Sequence, residues 1–175
     1  VAIGGGGLTG ASTAYHLARR GIRATVFEAV RIGDGASGRT GGLVLEGTAA
    51  GILEEVNSCI PGLEALVAEE RIDCDLSLPG CWEIEHRSSG NERKLPWNDS
   101  GQSIFIVKTV KGGTVEPAAL VRGIARAAVS RGAVILEGRA VQKIAVEPQL
   151  AIESDSETIH PGYIVLALNA WTGPF

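Results

Sequence analysis

Within Gly4-Gly5-Gly6-Gly7-Leu8-Thr9-Gly10, the residues Gly5, Gly7 and Gly10 satisfy the spacing G-x-G-x-x-G. That spacing suits a phosphate cradle. Gly5 permits a tight turn, Gly7 lets the backbone approach a pyrophosphate without a Cβ, and Gly10 allows the following helix to pack closely on its strands. Gly6, Leu8 and Thr9 complete the turn and open the helix, whose first N–H groups carry partial positive charge and no internal acceptor. Glu28 stands eighteen positions after Gly10, at the end of the next apolar segment. There its carboxylate can accept hydrogen bonds from a ribose 2′-OH and would repel a 2′-phosphate. The pattern therefore points to a dinucleotide, FAD or NAD, while the nearby cation Arg31 keeps NADP open.

Other chemistry is sparse. Cys59, Cys74 and Cys81 are odd in number and contain no C-x-x-C pair, so neither a disulfide framework nor a zinc site is expected. His16, His86 and His160 have no partner at ligand or triad spacing and read as structural. No metal site is expected.

The elements that must hold these residues follow from periodicity. Val1 to Gly4 reads as a strand and Leu8 to Arg20 as a helix with Leu8, Ala11, Ala14, Tyr15 and Ala18 on one face, closed by Arg19, Arg20 and Gly21. Ile22 to Glu28 is a second strand, completing a βαβ unit with parallel strands. Gly33 to Gly42 holds five glycines in ten positions and must be a loop. Leu43 to Ser58 and Leu63 to Glu70 read as helices. Trp82 to His86 and Ile104 to Val110 read as strands, separated by a polar loop over residues 88–101. Pro117 opens a helix to about Arg131, and Ala133 to Leu136 follows as a strand. Ala140 to Val146 and Leu150 to Glu153 suggest a small antiparallel meander. The apolar run Tyr163 to Leu168 suits a strand in a sheet covered on both faces. The expected class is α/β, a Rossmann-like FAD/NAD(P)-binding fold with a parallel sheet and an inserted β meander.

With 175 residues, 45% hydrophobic and 21% charged, the chain has the makeup of one globular domain spanning residues 1–175. A net charge of −4 without a basic stripe disfavours nucleic acid. No apolar run approaches the roughly 20 residues of a membrane span. A soluble, cytoplasmic protein is the expectation. The chain contains no Met and opens on a strand already under way, so residues are expected to precede Val1 and to follow Phe175.

The loop Gly35-Ala36-Ser37-Gly38-Arg39-Thr40-Gly41-Gly42 resembles a second flavin-contacting stretch of the D-amino-acid oxidase-like family of FAD-dependent oxidoreductases. That family includes glycine, sarcosine and γ-glutamylputrescine oxidases. Gly112-Gly113-Thr114-Val115-Glu116-Pro117 and Ala167-Leu168-Asn169-Ala170-Trp171-Thr172 extend the likeness over nearly the whole chain. The resemblance implies FAD as cofactor. Contacts would come from Gly5 to Gly10, Glu28, Ser37, Gly38, Arg39, Thr40, Gly41 and Gly42, with Ser37 and Arg39 offering donors to phosphate or flavin oxygens. It further implies Val141 near the adenine through its backbone, and Asn169 and Trp171 near the cofactor at the last strand's end. No His or Cys lies in the Gly33 to Gly42 loop, so flavin there would be noncovalent. The implied reaction is oxidation of a small amine or amino acid by hydride transfer, with the substrate-covering sheet beyond this chain. An NAD-dependent dehydrogenase and a non-catalytic flavin-binding module remain the alternatives.

Overall fold

The computed structural model describes residues 1–46, 59–87, 90 and 92–173. Along the chain run β1 (Ala2–Gly4), α1 (Leu8–Arg19), β2 (Thr25–Glu28), β3 (Leu43–Leu45), α2 (Cys59–Glu69), β4 (Cys81–Glu85), β5 (Arg93–Asp99), β6 (Gln102–Val110) and β7 (Gly112–Thr114). Then come α3 (Pro117–Ser130), β8 (Val134–Glu137), β9 (Val141–Ala145), β10 (Ala151–Ser154), β11 (Thr158–Ile159) and β12 (Ile164–Leu166), with single 3-10 turns at Ala36–Gly38 and Asn169–Thr172. Length and composition point to one domain. The chain instead divides into two compact units, Val1–Gly42 with Glu70–Cys74 and Glu116–Phe175, and Leu43–Glu69 with Asp75–Val115. Among the described residues, the strands of the second unit pair only with one another.

The first unit is built on a four-stranded parallel sheet in the order β12-β1-β2-β8. Its side chains alternate between faces, as a pleated strand requires. Ala2, Phe27, Leu136 and Ile164 point to one face, where Val141, Ile144, Ile152 and Ile159 of the antiparallel meander β9-β10-β11 cover them. On the other face lie α1 and α3. Ala11, Ala14 and Ala18 of α1 and Ala125 and Ala128 of α3 are buried, and residues this small allow two helices to approach closely. The central strand β1 is wholly buried, whereas β12 is an edge strand with Leu166 exposed on it and Tyr163 exposed just before it. The expected cover on both faces of that last strand is thus only partial.

Helix boundaries follow local chemistry. Gly21 and Gly132, at φ +73° and +97°, lie just past the ends of α1 and α3 in the left-handed region that commonly terminates a helix. Glu116 caps α3, its carboxylate accepting from Ala118 N–H and Ala119 N–H ahead of Pro117 in the first turn.

In the second unit the sequence-based expectations need three corrections. Leu43 does not open a helix: Leu43–Leu45 is a strand paired antiparallel with β7, and the rest of the expected helix, residues 47–58, lies outside the described residues. The helix expected from Leu63 begins at Cys59, because Pro61 and Gly62 fall in a first turn that needs no intrahelical donor and Glu46 accepts hydrogen bonds from Cys59 N–H and Ile60 N–H. The polar stretch 88–101 is not all loop. Arg93–Asp99 pairs with β6 across the two-residue turn Ser100-Gly101, both at positive φ, and Pro96 sits in a bulge where the ladder register shifts. Polarity misleads there because both Arg93 and Asn98 face solvent on a sheet of only three strands.

No helix among the described residues is long and apolar enough to cross a membrane. One ionic cluster ties the helix layer of the first unit together. Tyr15 of α1, completely buried, donates its hydroxyl to Glu70 at 2.8 Å, and Arg131 at the end of α3 donates to the same carboxylate while lying over the Tyr15 ring. The Arg131 hydrogen bond is the largest influence holding the Glu70 carboxyl below its usual range; burial opposes it and the Tyr15 hydroxyl assists. Stability from this group is present above the ordinary glutamate pKa of about 4.3 and is lost as pH falls through the lowered folded value. Glu70→Gln should lower the melting midpoint by about 4 °C near neutrality. It should also lose less stability than the wild type as pH falls below the ordinary glutamate range; parallel acid limbs in thermal unfolding would exclude this role for Glu70.

Candidate functional site

Because β1, β2, β8 and β12 are parallel, their C-terminal ends lie along one edge of the sheet, and the loops leaving that edge carry most residues singled out from the sequence. This is the edge where open α/β sheets bind ligands. The glycine turn leaves β1 there. Gly5 has φ +100°, and a Cβ on it would stand 2.4 Å from the Ala167 carbonyl oxygen, so both conformation and space demand glycine. Gly10, inside α1, passes so near the Gly5 carbonyl that a Cβ would lie 1.9 Å from its oxygen. The helix is thereby seated with its N-terminus against the turn.

Glu28 ends β2 beside this turn. Its Oε2 accepts from Gly6 N–H at 2.7 Å and its Oε1 from Val30 N–H at 2.9 Å. Two backbone donors fix the carboxylate while leaving it further acceptor capacity. The second loop joins the first through Ser37, whose Oγ accepts from Leu8 N–H at 3.0 Å and so caps α1 from outside the helix. The Ala36–Gly38 turn thus stands at the helix N-terminus. Next to it, Gly33 N–H donates to Gly6 O at 3.2 Å.

The remaining expected residues divide. Arg39, Thr40 and Gly41 are exposed on the second loop, and Gly42 is buried with its N–H directed to the Thr40 hydroxyl at 3.4 Å. Val141 begins β9, its side chain packing beneath Gly4 and into the meander-side core. Asn169, at φ +50°, opens the 3-10 turn after β12, and Trp171 in that turn is 79% exposed. Leu168 just before them packs against the glycine turn at Gly4 and Gly5. Gly5 to Gly10, Glu28 and Ser37 are therefore drawn together, while Arg39, Thr40 and Trp171 present themselves to solvent.

Sequence reasoning missed the supports of the second loop. Ile32 N–H donates to Glu137 Oε1 at 2.7 Å, and Arg122 of α3 pairs with Asp34 at 2.9 Å. No spacing rule links residues 88 to 105 positions apart. The histidines serve local structure: His16 stacks edge-on against Tyr15, His86 faces Asp99 and His160 contacts the Leu150 carbonyl. Among the described residues no group of three His, Cys, Asp or Glu could hold a metal.

The donor set fits a dinucleotide: a Cβ-free turn, the N-terminus of α1 for the pyrophosphate, a backbone-held carboxylate for ribose hydroxyls and a hydroxyl at the junction. The chain is 28% identical over 215 residues to a probable oxidoreductase, OrdL, of Rhizobium meliloti, covering 99% of this chain and 50% of that protein. It is 60% identical over 42 residues to the γ-glutamylputrescine oxidoreductase of Escherichia coli, covering 24% of this chain and 10% of that protein. Its fold matches glycine oxidase from Bacillus cereus with a TM-score of 0.72 at 21% identity, covering 95% of this chain and 54% of that one. The chain therefore spans about half the length of the R. meliloti relative and of that oxidase. The family model described as FAD dependent oxidoreductase (DAO) matches residues 1–104 and 105–175. This chain, with its Rossmann-like parallel sheet, belongs to that family of FAD-dependent oxidoreductases.

Proposed function

We propose that the protein carrying this chain binds FAD and oxidises the C–N bond of a small amine or amino acid, with this chain supplying the nucleotide-binding part. The observation that carries the reading is the Glu28 carboxylate, held by Gly6 N–H and Val30 N–H beside a helix N-terminus. A carboxylate so fixed is pre-organised to accept from ribose hydroxyls and is hostile to a 2′-phosphate. The amides from Gly5 to Gly10 receive the pyrophosphate, with Leu8 and Thr9 in the first helical turn. Ser37 and Gly38 bring the second loop to the same point, and Arg39, Thr40, Gly41 and Gly42 continue it toward the cofactor. Val141 lies by the adenine through its backbone, and Asn169 and Trp171 flank the cofactor at the end of β12.

Bound flavin supplies a hydride acceptor at N5, so that an amine CH–NH becomes an imine open to hydrolysis. The residues of this chain bind and orient rather than react. The substrate class is supported by the names of two similar proteins, a γ-glutamylputrescine oxidoreductase and a glycine oxidase, which specify an amine and an amino acid. The absence of His and Cys from residues 33–42 supports noncovalent flavin in this loop.

The purified full-length protein should be yellow and should release FAD on denaturation; a colourless protein that binds NAD would replace this reading with that of a dehydrogenase. Glu28→Ala should weaken FAD binding roughly ten- to a hundredfold, the equivalent of losing one or two charge-assisted hydrogen bonds. Fluorescence titration of the apoprotein measures this, and unchanged affinity removes the ribose role. Glycine, sarcosine, γ-glutamylputrescine or a related amine should bleach the bound flavin anaerobically. Failure of every amine and amino acid would leave a non-catalytic flavin-binding module.

A further inference from the structure

Two side chains outside every expected cofactor contact hold the second glycine loop by its base. Ile32, almost fully buried, donates its N–H to Glu137 Oε1 at the end of β8, and its carbonyl accepts from Arg122 Nε–H at 3.4 Å. Arg122 Nη2 also pairs with Asp34 at 2.9 Å. The turn after β8 adds backbone bonds, Gly138 N–H to Val30 O and Arg139 N–H to Glu28 O. The fixed segment then reaches the cofactor edge in two places, Gly33 N–H on Gly6 O and Ser37 Oγ on Leu8 N–H. Ile32 itself packs so tightly on the glycine turn that a Cβ on Gly6 would stand 2.4 Å from its Cδ1.

We propose that Arg122 and Glu137 are positioning residues for FAD, acting through Ile32 and Asp34 to hold the Ser37 turn at the N-terminus of α1. The inference rests on the FAD reading above. Arg122 and Glu137 line a groove of about 510 Å³ between α3 and β8, together with Ile135 and Val129, and none of the residues expected at the cofactor lines it. Their effect must therefore pass through the loop. Glu137 is also the register partner of Glu28 on the adjacent strand, so the two glutamates share one rung of the sheet. Their amide partners keep them on different tasks: Glu28 on Gly6 and Val30, Glu137 on Ile32. A loop that is ordered before binding need not be ordered by the ligand, and that difference appears as affinity.

The test is FAD titration of the full-length apoprotein, with the apo melting midpoint recorded for each variant. Arg122→Ala and Asp34→Asn should each weaken FAD roughly three- to fivefold, as expected for a partly exposed ion pair. The double variant should be no weaker than Arg122→Ala alone, since both remove one interaction. Glu137→Ala should weaken FAD roughly tenfold, and Glu137→Gln, which keeps an acceptor for Ile32 N–H, should restore most of it. Arg126→Ala, on the same helix and the same groove, should leave affinity unchanged. Should Arg122→Ala fail to fold, Asp34→Asn on the loop carries the same measurement. Wild-type affinity in Asp34→Asn and Glu137→Ala, or equal weakening by Arg126→Ala, would overturn the inference. A wild-type protein that binds no FAD would instead overturn the cofactor reading and this inference with it.

Discussion

The hydrogen bond from Gly6 N–H to the Glu28 carboxylate joins the turn leaving β1 to the end of β2, and the candidate site is arranged around it. The bond can form because the two strands are parallel neighbours in register, Gly4 beside Phe27, so their C-terminal ends emerge together. An antiparallel pair would put the carboxylate at the opposite end from the turn. Parallel pairing, in turn, needs a crossover, and α1 is that crossover, delivering its own N-terminus to the same place. One topological choice thus gathers a carboxylate, a Cβ-free turn and a helix dipole within hydrogen-bonding reach.

The layers around the sheet leave this edge open. Helices cover one face through small side chains, which lets α1 and α3 lie close together, and the Glu70 cluster joins α1 to the end of α3. The meander β9-β10-β11 covers the other face with aliphatic side chains around Phe27 and Ile152. The loops above them are held by specific polar contacts instead, Ser37 on Leu8 and Glu137 on Ile32.

The chain belongs to a family of FAD-dependent oxidoreductases, and under the proposed function its part in the labour is anchoring. The groups assembled at this edge are suited to phosphate and ribose, the anchoring end of a dinucleotide. The proposed oxidation takes place at the isoalloxazine end. Binding affinity and catalytic specificity are therefore expected to respond to different parts of the full-length protein.

Periodicity and glycine spacing alone determined the βαβ unit, the glycine turn, Glu28 at a strand end and the helix from Pro117, because each depends on residues within a few positions of one another. The Ser100-Gly101 turn was equally local, but the polar residues around it hid the strand Arg93–Asp99. The strand at Leu43 was illegible because its apolar triplet fits a helix as well as a strand until β7 supplies a partner. What only the tertiary structure decided was which distant side chains serve the site: Ser37 as the outside cap of α1, and Arg122 and Glu137 as supports of the second loop. Those contacts join residues far apart in sequence, and no local rule encodes a contact that exists only after the sheet has brought its strand ends together.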